Sequence, residues 1–117
     1  MKDSIISQKS FDFAIRIVNL YKYLKDNKKE FVLSKQLLRS GTSVGANIEE
    51  ALGGQSKKDF ISKLSVAYKE SRETLYWIKI LNKSRYLNQN QSLSLINDCE
   101  EIIKIITRIL KTSKNNS

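Results

Sequence analysis

Ser40-Gly41-Thr42-Ser43-Val44-Gly45-Ala46 decides how this chain folds. It lies inside a segment from about Lys35 to Leu52 whose apolar spacing is helical. Two interior glycines each cost a helix roughly 1 kcal/mol relative to alanine. They are four apart, however, and share a face near Leu37, Leu38, Val44 and Ile48. A helix lacking Cβ atoms on that face lets a neighbouring helix approach closely. The stretch is therefore read as a continuous helix pressed against its partners, with Gly41, Gly45, Asn47 and Glu50 as helix-packing positions. A phosphate loop is a poor match, because Gly-x-x-x-x-Gly-Lys-Ser/Thr spacing is absent and no strand precedes it. The membrane motif Gly-x-x-x-Gly needs an apolar 20-mer, also absent.

Ser34 is the expected N-cap of this segment, and Gly53-Gly54 its left-handed end. Before it, a helix over about 7–27 is expected to bury Phe11, Ala14, Ile15, Val18, Tyr21 and Leu24. After it, Ser56-Lys57-Lys58-Asp59 resembles a capping box. It opens a long helix over about 57–86, with Phe60, Ile61, Leu64, Ala67, Tyr68, Leu75, Ile78 and Leu81 on its apolar face. A fourth helix, about 92–111, lines up Leu95, Ile96, Cys99, Ile102, Ile103, Ile106, Ile109 and Leu110. Nothing alternates with a period of two. Four amphipathic helices on short loops predict an all-α, antiparallel up-and-down four-helix bundle spanning 1–117 as one domain. So small a bundle leaves apolar surface over, which favours self-association. Tyr23, Phe31, Val32, Tyr76 and Trp77 are the candidates.

Composition narrows the chemistry. The 117 residues include no His, no Pro and one Cys. Histidine-based triads, imidazole-ligated metals and an internal disulfide are excluded. Cys99 has no base to activate it and reads as a small core hydrophobe. No nucleophile can be paired with a base, so no catalytic residue, metal or cofactor is assigned and a non-enzymatic role is expected. The start, from Met1 to Lys9, holds no secretory signal, and no run approaches the ~20 apolar residues of a membrane span. A cytoplasmic location is expected, with a polar tail from Lys111 to Ser117 that frays.

The net charge is +9. Residues 1–29 carry +4 and residues 55–87 carry +5, while 30–54 carry −1 and 88–117 carry +1. On the third helix Lys69, Arg72, Tyr76, Lys79 and Lys83 fall on one stripe. Such cations neutralise phosphates and release counterions, and Tyr76 can stack on an unpaired base. Lys9, Arg16, Lys22 and Lys25 on the first helix are candidates to extend this surface. A solvated face that keeps the protein soluble accounts for the same residues. Glu70 and Glu73 dilute the field. Together with Arg39, Asn47 and Glu50 they are read as a polar network between helices.

Two blocks, Ser40 through Ala51 and Gln55 through Trp77, resemble the 23S rRNA intervening-sequence protein family. These are bacterial four-helix-bundle proteins, often encoded within insertions in ribosomal RNA genes. The accessory variability determinant of diversity-generating retroelements is structurally related to them. The resemblance implies an up-and-down bundle assembling into a ring-like homopentamer. In the retroelement branch it also implies nucleic-acid binding and contact with a reverse transcriptase. Two functions stay open on the sequence. One is an accessory factor binding RNA or DNA through its basic surface. The other is a protein-interaction or scaffolding module without nucleic-acid binding.

Overall fold

The computed structural model describes residues 4–116; the expectations that fall on Met1, Lys2, Asp3 and Ser117 lie outside them. The described residues form four α-helices and no strand: α1 (Ser4–Asp26), α2 (Leu33–Leu52), α3 (Lys57–Lys83) and α4 (Gln89–Asn115). They pack into a bundle 47 × 21 × 20 Å in extent. Each helix packs on its sequence neighbour, and α4 closes sparsely on α1. Among the described residues the backbones of α1 and α3 do not approach each other, nor do those of α2 and α4, so each of these pairs occupies opposite corners. Among the described residues no helix is long and apolar enough to cross a membrane.

α2 runs unbroken through both glycines. Gly41 is buried against α1, where an added Cβ would stand 2.7 Å from Cγ2 of Ile17. Gly45 faces the same helix with more room: a Cβ added there would stand 3.4 Å from the Ser10 carbonyl oxygen. Two hydroxyls cross the α2–α3 seam in the core, Thr74 Oγ1 donating to Ser40 Oγ at 2.9 Å. Small residues let these helices close up, and Leu37, Val44, Ile48, Leu64, Ala67, Ile78 and Leu81 fill the space between them.

α1 is rotated relative to the expected stripe. Ile6, Phe13, Ile17, Leu20 and Leu24 form its buried face, with Ser10. Of the expected set only Leu24 is buried; Phe11 and Ile15 are exposed, at 61% and 47%. α1 carries two apolar stripes, and the bundle uses the one whose side chains fit the glycine face of α2.

The helix ends differ in several places, each for a local reason. Ser34 is not the cap of α2. The Glu30 carboxylate accepts the amides of Val32, Leu33 and Ser34 at 3.2, 3.0 and 2.7 Å, and the Ser34 hydroxyl donates back to the Glu30 carbonyl. Gly53 closes α2 at φ −90°, without left-handed backbone. The left-handed positions are instead Lys29 and Arg85, both in linkers. Arg85, at φ 67°, stops α3 at Lys83 rather than 86, and the Tyr86 and Leu87 amides fold back onto the Leu81 carbonyl. Asn88 and Gln91 form a reciprocal capping box that starts α4 at Gln89, and the helix runs on through Asn115, past the expected end at 111. Ser56 caps α3 by accepting the Asp59 amide at 3.0 Å.

Candidate nucleic-acid interface

The rotation of α3 is set by its contacts with α2. Arg39 on α2 reaches Glu70 at 3.0 Å and also pairs with Glu73. Trp77 Nε1 donates to Glu73 at 2.9 Å, and Lys63 pairs with Glu50 at 2.9 Å. The Trp77 hydrogen bond holds the Glu73 carboxyl below its ordinary value; partial burial opposes this and Arg39 reinforces it. Glu70 and Glu73 are thus turned towards Arg39. Asn47 stays within α2, donating to the Ser43 carbonyl at 2.8 Å.

With α3 held this way, Lys69, Arg72, Tyr76, Lys79 and Lys83 are all exposed. None of the four cations forms an ion pair with a described carboxylate. Arg72 is steadied without neutralisation: its guanidinium lies 5.9 Å from the Tyr68 ring centroid and donates to the Tyr68 hydroxyl at 3.3 Å. Tyr76 meets Trp77 edge to face at 5.2 Å. Trp77 packs against the core while Tyr76 stands out at 58% exposure.

The first-helix cations do not continue this stripe, because α1 and α3 sit at opposite corners. Three are also engaged elsewhere. Arg16 binds Asp98 of α4 at 2.5 Å, Lys9 binds Glu101 at 3.2 Å, and Lys25 binds Asp26 at 3.4 Å. Lys22 is exposed and makes no ion pair with a described residue, but it belongs to a separate surface. Periodicity alone missed Tyr68 beneath Arg72; its signal was the i, i+4 spacing of an aromatic and a guanidinium.

Little in the core is set up for chemistry. Cys99 is buried and its thiol donates to the Ser71 carbonyl at 3.3 Å. Burial, and then the charges of Glu100 and Asp98, push that thiol up to about 12. Among the described residues no three His, Cys, Asp or Glu side chains gather as a metal site.

A family model described as 23S rRNA-intervening sequence protein matches residues 2–108. The chain belongs to this family. A solved structure points the same way: a protein of unknown function from the S23 ribosomal protein family of Bacteroides thetaiotaomicron. It is 53% identical, with a TM-score of 0.93, over 95% of this chain and 99% of that one. No curated protein matches. As a 23S rRNA-intervening sequence protein, the chain shares the four-helix fold at nearly full length with that relative.

Proposed function

We propose that this 23S rRNA-intervening sequence protein is a non-enzymatic, self-associating accessory factor of the cytoplasm that holds RNA or DNA on the outer face of α3. One observation carries this: four exposed cations share one stripe of α3 with Tyr76, and none has a described carboxylate partner. Unpaired Lys and Arg can displace the counterions condensed on phosphates without first breaking an ion pair. Tyr76 sits among them as a stacking platform. The family name, with its link to ribosomal RNA genes, supports a nucleic-acid partner.

The helices are taken to run antiparallel, up and down. Ile17 lies against Gly41 and Ser10 against Gly45, and Arg39 pairs with Glu73 while Glu50 pairs with Lys63. Numbers rise on one helix as they fall on the next, which supports that course. Self-association, as a ring of five if the resemblance extends to assembly, is supported by exposed Phe11 and Ile15. The test of function is salt-dependent binding of the pure protein to RNA and DNA, before and after Lys69, Arg72, Lys79 and Lys83 are replaced by Gln. Absence of binding at low salt removes the proposal. A scaffolding role is favoured by a different patch, Phe31 and Val32, exposed at 51% and 71% in the α1–α2 linker. A partner protein retained in a pull-down after nuclease treatment would support that role.

A further inference from the structure

Among the described residues, the start of α1 and the later half of α4 border an opening at one end of the bundle. A cavity of about 920 Å³ enters there, within the range that takes small molecules. Its floor is apolar and buried: Ile6, Ile48 and Leu64. Its walls, Leu52, Phe60, Ile105 and Ile109, are half-buried hydrocarbon. Among the described residues the one buried side-chain polar atom without a partner is Ser92 Oγ, which does not line this cavity. The polar lining, which includes Asn97, is confined to exposed or half-buried side chains, and the buried floor of hydrocarbon favours an apolar chain.

The wall contributed by α4 changes character along its length. Glu101 is neutralised across the seam by Lys9, and Glu100 lies a turn before the cations. Lys104 and Arg108 follow, both exposed, one turn apart and ion-paired with no described residue. A guanidinium beside an ammonium suits a carboxylate or phosphate, which the Arg fork grips through two parallel hydrogen bonds. We infer that this cavity binds a single-chain amphiphile, its hydrocarbon on Ile6, Ile48 and Leu64 and its anionic head on Lys104 and Arg108. The site uses no residue of the α3 stripe and stands independently of the nucleic-acid proposal.

The test is titration of the intact chain with laurate and with dodecyl phosphate below their micelle concentrations, with dodecanol as the uncharged control. Saturable uptake of one anion per chain is expected, about tenfold tighter than the alcohol, consistent with the strength of charge-assisted hydrogen bonds. Methyl NMR signals of Ile48 and Leu64 should shift. The exposed double substitution Lys104→Glu with Arg108→Glu should weaken the anions tenfold or more and leave dodecanol unchanged, with helicity by circular dichroism intact. Laurate tighter than dodecyl phosphate assigns a carboxylate head; the reverse order assigns a phosphate. Absence of saturable uptake, as when a second copy of the chain fills the opening, overturns the inference. So do equal affinities for alcohol and anions, or shifts confined to the Lys69–Lys83 stripe.

Discussion

Gly41 lies so close to Ile17 that a Cβ on the glycine would stand 2.7 Å from Cγ2 and 2.8 Å from Cγ1 of the isoleucine. Gly41→Ala should therefore destabilise the protein by about 1–3 kcal/mol despite alanine's better helix propensity. Ile17→Ala in the same chain should relieve part of that loss, giving a coupling outside simple additivity. Gly45→Ala has 3.4 Å of clearance and should be neutral or stabilising by up to about 1 kcal/mol. Urea unfolding of these variants, with Ile17→Ala alone to complete the cycle, measures all three; equal effects at 41 and 45 would contradict the packing.

Glu30 caps α2 from outside the helix. Burial resists its ionisation, but the amides of Leu33, Ser34 and Val32 outweigh it and hold the carboxyl below its ordinary 4.5. A folded value below the unfolded one means the cap stabilises fully above about pH 4.5 and is lost as pH falls through the lowered value. Glu30→Ala should cost about 1 kcal/mol at pH 7, and that cost should shrink as the pH falls below 4.5. A constant cost from pH 7 to pH 3 would remove the cap from the account.

Cys99, with its thiol pushed up to about 12, is almost wholly protonated at pH 8. The thiolate fraction there is on the order of one in ten thousand. Native protein should resist a disulfide-exchange thiol reagent for as long as it stays folded, and denatured protein should react at once. Rapid labelling of the native chain would show that this site opens.

On α3, the four Lys and Arg to Gln substitutions should reduce the steepness of log affinity against log salt by up to about 3 on single strands and about 3.6 on duplex. Tyr76→Ala should cost single-strand binding about 1–3 kcal/mol and leave duplex binding nearly unchanged. Arg16→Gln, on the opposite corner and bound to Asp98, should leave affinity as it was. Filter binding across a salt series distinguishes the three.

Phe11 and Ile15 lie one turn apart on the outward stripe of α1. Replacing both with Glu should reduce the mass by light scattering to that of one chain, with helicity unchanged. A wild-type chain that already runs as a monomer at micromolar concentration would end the self-association proposal.

Four helices were legible because polar breaks such as Asp26 to Lys29 and Asn88 to Gln91 separate long apolar periods. The glycine stretch was legible too, since close approach is what can offset its cost in a helix. The inward face of α1 was not. Phe11, Ile15 and Val18 compete with Phe13, Ile17 and Leu20 in any reading of periodicity, and the choice is made on α2, by Gly41 and Gly45. The α3 stripe could be read from spacing, whereas its separation from Arg16 and Lys22 follows from which corners the helices occupy. The Glu30 cap escaped because its carboxylate acts from before the first turn, where Ser34 offered the commoner signal. The cavity beside Lys104 depends on how α1 and α4 part at one end, which no local pattern encodes.

The diagonal placement of α1 and α3 has a geometric outcome for any assembly. Copies gathered about their first helices would turn their third helices to the circumference. The lysines would then form a charged outer belt, so a strand could be wound around such a particle rather than threaded through it.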